Sequence, residues 1–269
     1  MPLAWEYVLL LLVLGSVAGF LAGLLGIGGG MILVPPLYYV FLQLGLAEHA
    51  MQLAIGTSLA TIVFTGLSSG RAHYLAQRVD MQLWRQFIPG LLIGSACGAW
   101  MVDRIHTDVL LHVFAVLLLV SGAYLGLRSP AAAPVAQTVP PWRLRQHTFL
   151  AGFVSVMMGI GGGIPNTLLM IRYGQPLRTA IGTSAALTSI LAGTSVLLLV
   201  AFGWHSQVNQ PYLLGYVHVP VALCVVTTSM MAAPIGAFCS QRLPVLWLQR
   251  LLGLLLMLLA VKMLVKQYL

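Results

Sequence analysis

The chain has 269 residues, 59% of them apolar and only 7% charged, with a net charge of +8. Soluble domains carry about 25% charged residues, so this composition cannot clothe a water-exposed surface and excludes a soluble enzyme or binding domain. The apolar runs are continuous rather than alternating, which specifies an all-α polytopic membrane protein and not a β-barrel. The basic excess points to loops on one membrane face, and no nucleic-acid partner is expected.

A spanning helix needs about 20 apolar residues. Taken in chain order, the candidate elements are 5–25, 31–44, 51–70, 84–102 and 108–127, then 147–158, 164–174, 179–202, 213–240 and 245–265. The start, Met1 to Tyr7, lacks the basic region of a cleavable signal and reads as part of the first element. A Pro/Ala-rich stretch containing Pro130, Pro134, Pro140 and Pro141 reads as an exposed connector. It divides the chain into an N-terminal repeat 1–128, a connector 129–146 and a C-terminal repeat 147–269.

The repeat rests on two pairs of motifs. Gly26-Ile27-Gly28-Gly29-Gly30 returns as Gly159-Ile160-Gly161-Gly162-Gly163, and Ala54-Ile55-Gly56-Thr57-Ser58 returns as Ala180-Ile181-Gly182-Thr183-Ser184. Each half has five elements, an odd number, so two like halves insert in opposite directions, as in many transporters. With the connector cytoplasmic, Arg71, Arg78, Arg85, Arg128, Arg143, Arg145, Arg172, Arg178, Arg242 and Arg250 fall at or near that face, against Arg104, Lys262 and Lys266 on the other. That bias places both termini in the periplasm. Trp5, Trp84, Trp100, Trp142, Trp204 and Trp247 lie near span ends or in the connector, as interfacial belts require.

Elements 147–158 and 164–174 are each too short to cross a bilayer, so the glycines between them read as the tip of a hairpin near the midplane. Element 5–25 is long enough to cross alone, so hairpins and short spans both remain open readings. Three consecutive glycines raise the cost of helix by roughly 1 kcal/mol each, so they mark a break. A helix that starts after such a break aims free N–H groups and its positive dipole end at the tip, which suits an anion. The candidate binding residues are Gly28, Gly29, Gly30, Thr57 and Ser58 in the first half, with Gly161, Gly162, Gly163, Asn166, Thr167, Thr183 and Ser184 in the second. The competing reading for the glycines is close helix packing. It is the preferred one for Gly15, Gly19 and Gly23 and for Gly90, Gly94 and Gly98, which have four-residue spacing. Serine and threonine in membrane helices also bond back to their own backbone.

The acids Glu6, Glu48, Asp80, Asp103 and Asp108 all fall at loops or span ends. A cation path usually needs a mid-span carboxylate; an anion path does not. His112 and His218 lie in or near spans, where a structural, hydrogen-bonded role is the simpler one. Arg172 and Arg178 serve either as attractors at a cytoplasmic mouth or as positive-inside anchors. Cys97, Cys224 and Cys239 have no metal spacing and read as buried hydrophobes. The glycines lack the strand and the Lys-Ser/Thr of a nucleotide loop, and no catalytic constellation is visible. No enzyme activity, cofactor or metal is expected.

Gly26 to Gly30 followed by Val34-Pro35, the repeat at Gly159 to Gly163, and the two Ile-Gly-Thr-Ser strings resemble the TauE/SafE sulfite exporter family, over nearly the whole chain. The resemblance implies a permease of the bacterial inner membrane for sulfur-containing anions such as sulfite, sulfonates or sulfoacetate, mostly in export. Its partners would be that anion and membrane lipid, with a homodimer as an allowed assembly. Pro35-Pro36 in the first half against Pro165-Asn166 in the second makes the two tips chemically unequal. An anion channel with the same site is the alternative; a membrane assembly protein without transport fits the paired breaks poorly.

Overall fold

The computed structural model describes residues 5–26, 29–127, 140–205, 212–240 and 245–265. The first half contains α1 (Trp5–Leu25), α2 (Gly30–Gln43), α3 (Ala50–Leu75), α4 (Met81–Arg104) and α5 (Thr107–Leu127), with a 3-10 turn at Ala47–His49. The second contains α6 (Pro141–Met157), α7 (Gly163–Arg172), α8 (Leu177–His205), α9 (Val219–Cys239) and α10 (Val245–Val265). Among the described residues, five stretches are long and apolar enough to cross a membrane: α1, α3 with its 3-10 turn, α5, α8 and α9. The protein is therefore an all-α polytopic membrane protein.

Two boundaries differ from expectation. Helix α6 begins at Pro141, inside the stretch read as connector. Proline at a first helical position costs nothing, because that N–H has no helical partner anyway. The element expected over 213–240 starts instead with a two-stranded turn, β1 (Leu213–Leu214) paired antiparallel with β2 (Val217–His218), before α9. Gly215 at φ 56° makes that turn, and Tyr216 tucks into the protein from it.

The halves pack by exchanging helices. Helix α1 lies along α9, and its counterpart α6 lies along α4; α3 packs on α9 while α8 packs on α4. The counterparts α3 and α8 pack on each other, as do α5 and α10. A Cβ added at Gly66 would meet Ser189, and one at Gly70 would meet Ala186, so α3 and α8 cross antiparallel. The four-residue glycine series form the seams that their spacing predicts. Gly15, Gly19 and Gly23 press on Val225, Ser229 and Ala233 of α9, and Gly90, Gly94 and Gly98 press on Arg145, Phe149 and Phe153 of α6. Small residues let membrane helices gain dispersion contact at backbone distance. Helix α3 is the most enclosed span, 78% buried over its apolar window against 39% for α8, so α3 forms the centre on which the site is built.

The ends carry the polar residues. Asp80 caps α4, its Oδ1 accepting from the N–H groups of Gln82 and Leu83, both at 3.0 Å. Asp103 closes α4 and accepts from the Tyr216 hydroxyl at 3.0 Å. Glu6 and Asp108 lie in the first turns of α1 and α5. No carboxylate interrupts the middle of a described helix.

Candidate functional site

Both glycine runs end one helix and start another. Gly29 caps α2 at φ 77° and Gly162 caps α7 at φ 94°. A side chain rarely adopts this left-handed backbone, which explains a glycine at each cap. Neither cap has a side-chain hydrogen bond. The N–H groups of Gly163 and Ile164 make no backbone hydrogen bond among the described residues. They are the leading donors that a helix start cannot satisfy for itself. Helix α2 differs further along, because Pro35 and Pro36 stand inside it and free the carbonyls of Met31 and Ile32. Pro165 sits in the first turn of α7 and frees none.

The two runs touch. A Cβ at Gly30 would collide with the Gly159 carbonyl and lie 2.9 Å from the Ile160 Cα. Each run also leans on the other half's second motif: Gly26 faces Ile181 and Gly159 faces Ile55. Gly161 fits between Ile62 of α3 and Thr188 of α8. The first-half residue Gly28 lies outside the described residues.

The Ile-Gly-Thr-Ser strings lie within α3 and α8 and perform a docking role. Gly56 lets the Tyr216 carbonyl approach α3, and Gly182 lets the Arg78 carbonyl approach α8. Beside each, the threonine accepts a backbone N–H: Thr57 from His218 at 3.0 Å, Thr183 from Asp80 at 2.9 Å. His218 and Asp80 are the N-caps of α9 and α4. Each half thus holds the turn that launches a helix of the other half. Ser58 donates across the halves to the Gly159 carbonyl at 3.0 Å, while Ser184 donates to Gly163 in its own half at 2.8 Å. In this structure the four hydroxyls are engaged with protein, and Thr57 and Thr183 point at the docked turns.

Asn166 and Thr167 behave differently. Asn166 is fully buried, its amide packs on Gly162, and neither its Oδ1 nor its Nδ2 has a hydrogen-bond partner among the described residues. The Thr167 hydroxyl is likewise buried and unpartnered. An unsatisfied buried polar group costs about 1–3 kcal/mol. The first half has Leu33 and Val34 at the matching places.

A narrow cleft, too tight to admit a water, lies beside the first tip. Ala22, Gly26, Thr65, Gly66, Ser69, Ala185 and Thr188 line it, from both halves. Among the described residues, none of the binding residues singled out from the sequence lines the cleft. Of its lining side chains, Thr65 and Ser69 belong to a polar face of α3 at four-residue spacing, Thr57, Thr61, Thr65, Ser69 and His73, all buried. That spacing was legible, but α8 has Leu187, Leu191 and Leu199 at three of the matching places, so a search guided by the repeat passes over it. His112 donates from Nδ1 to the Asp108 carbonyl one turn back, at 2.7 Å. Arg172 and Arg178 are exposed at the α7–α8 turn.

The model of the sulfite exporter TauE/SafE family matches residues 11–263. A probable membrane transporter protein of Haemophilus influenzae is 30% identical over 97% of this chain and 100% of its own length. Another of Methanocaldococcus jannaschii is 25% identical over 90% of each chain. A third, of Bacillus subtilis, is 30% identical over 65% of this chain and 71% of its own. No solved structure matches. With glycine-broken helices touching at the core of a polytopic bundle and a family match over nearly its full length, this chain belongs to the TauE/SafE sulfite exporter family of membrane transporters.

Proposed function

We propose that the protein is a secondary transporter that exports small sulfur-containing anions, such as sulfite, sulfonates or sulfoacetate, across the bacterial inner membrane. The anion sits near the midplane, held by the N–H groups at the starts of α2 and α7 and by Asn166 and Thr167. The observation that carries this reading is the Asn166 amide, fully buried on the Gly162 cap with both ends unpartnered. A buried amide of that kind is retained where a ligand completes it. Sulfite and sulfonate spread their charge over weakly basic oxygens, so neutral N–H and O–H donors can replace water and still release the anion.

The halves form inverted repeats in this reading. The antiparallel crossing of α3 with α8 and the exchanged helix contacts support it. The positive-inside bias orients the connector to the cytoplasm and the termini to the periplasm. The two docked turns, Tyr216–His218 on Gly56-Thr57 and Arg78–Asp80 on Gly182-Thr183, serve as gates on opposite faces. Both docks are made in this structure, and the adjoining cleft is tight, which supports a carrier over an open pore. Alternating access then requires one dock to open at a time.

A panel of sulfite, thiosulfate, sulfoacetate, taurine and sulfate tests the reading, by thermal shift on purified protein and by flux into liposomes. Saturable flux of one or more sulfur anions, able to run uphill against a second gradient, is expected. Unitary currents would replace the carrier by a channel; no effect of any anion would remove the substrate class.

A further inference from the structure

We propose that His73 is a proton-binding site of the transporter, linked to the anion through the polar face of α3; this rests on the anion reading above. His73 is 2% exposed in the last turn of α3. Its Nε2 lies 3.0 Å from the Gly23 carbonyl of α1. A carbonyl only accepts, so Nε2 carries a hydrogen and donates it. That fixes the neutral tautomer and leaves Nδ1 as the atom that takes up a proton. Nδ1 has no hydrogen-bond partner among the described residues.

The imidazole is one helical turn from the cleft on two sides. Ser69 stands four residues before it on the same face of α3, about 6 Å away by helix geometry, and lines the cleft with an unpartnered buried hydroxyl. Gly23 stands one turn before Gly26, which lines the same cleft. Thr65, the next step along the face, lies 2.9 Å from the Ser229 hydroxyl of α9 and donates or accepts there. Along this face of α3 the residues between the histidine and the cleft thus offer hydroxyls rather than apolar side chains.

The surrounding charges decide what protonation needs. Arg78 lies in the turn after α3, and Arg71 and Arg178 stand exposed at the same end. On α1 the ring meets the Gly23 carbonyl; Gly23 itself packs on Ala233 and Ala237 of α9, whose last turn has Cys239 as its titratable group. Gly70, one turn before His73, packs on Ala185 and Ala186 of α8. Helices α3, α8 and α9 contain no carboxylate, and α1 has only Glu6, in its first turn at the far end. Asp80, the carboxylate in the turn with Arg78, is engaged by the N–H groups of Gln82 and Leu83 and by the Gln175 amide, so a buried imidazolium at His73 lacks a counter-charge of its own. An anion at the glycine tips, which the cleft adjoins through Gly26, supplies one. Proton and anion therefore bind cooperatively: Nδ1 forms an N–H bond with a proton given up by hydronium, no electrons are exchanged, and the cargo crosses with its charge reduced. By reciprocity each tightens the other by the same factor, about tenfold for typical site–site coupling.

Methanesulfonate, which stays ionised throughout the range, separates the protein's titration from that of the ligand. Its binding to the purified wild-type protein is measured at about pH 5.5 and about pH 7.5, on either side of the ordinary histidine pKa of about 6.5. The expected result is affinity about tenfold higher at the lower pH, with pH dependence retained by His112→Gln and abolished in His73→Gln, whose amide still donates to Gly23. If His73→Gln does not fold, histidine-labelled wild type read by NMR gives the answer: one buried imidazole gains a proton when methanesulfonate binds. Equal affinity at both pH values, unchanged pH dependence in His73→Gln, or no imidazole response overturns the His73 proposal and leaves the anion site standing. Failure of methanesulfonate, sulfite and sulfoacetate to bind at either pH overturns the anion reading and His73 with it.

Discussion

The two glycine tips share a backbone and divide the chemistry. Both use a left-handed glycine cap, both lean on the isoleucine of the other half's second motif, and both halves hold a docked turn by a glycine and a threonine. Beyond the cap they part. The second half continues with Asn166 and Thr167 where the first has Leu33 and Val34. The first half has Thr65, Ser69 and His73 on α3 where α8 has Leu191, Ser195 and Leu199. Backbone features that only need a break and a close approach are duplicated, because any copy of the fold supplies them. In the proposed reading side-chain chemistry is placed once, because a single central ligand needs one amide and one proton-binding group, and a second buried copy would stand unsatisfied.

The largest effect is expected where the tips meet. Gly30→Leu drives a side chain into the backbone of Gly159 and Ile160; overpacking against backbone costs about 3 kcal/mol or more and should abolish flux, read by liposome uptake with a thermal-shift control. Asn166→Leu, which copies the first half's residue, separates site from scaffold. Removing an unpartnered buried amide should leave the ligand-free protein as stable or about 1–3 kcal/mol more stable, while anion-induced thermal stabilisation disappears. A loss of stability without change in anion response would make Asn166 a packing residue.

Smaller effects should distinguish the docks. Thr57→Val leaves the His218 N–H without its acceptor, and Thr183→Val does the same to Asp80. Each should cost about 1–3 kcal/mol and raise hydrogen exchange only in its own turn, so that the two variants open opposite faces. Asp80→Ala removes the cap of α4 for about 1 kcal/mol, read as a lower Tm. The smallest effect is expected at Gly193, where an added Cβ meets nothing; Gly193→Ala in α8 should be neutral or stabilise slightly.

Much of this plan was legible before any coordinates. The apolar runs gave the number of elements, the repeated glycine motifs the break points, and the four-residue glycine series the packing faces of α1 and α4, because these signals are local in the chain; the partners of those faces, α9 and α6, were not legible. The docking of Thr57 on His218 was not legible, since it joins residues 161 apart and a Thr after Ile-Gly reads equally well as a ligand donor. Pro141 as a helix start was hidden by the prolines before it, which read as linker. The polar face of α3 was hidden by the repeat itself: looking for what the halves share suppresses what only one of them has.

The direct test of the anion site is a crystal of the protein soaked with selenite, whose selenium marks the oxyanion by anomalous scattering. A peak within about 4 Å of Asn166 and the first N–H groups of α7, the distance of an oxyanion centre from hydrogen-bond donors, is the predicted result. A peak confined to the open hollow at Arg145 and His147 on the start of α6, with the tips still packed on each other and empty, would contradict it.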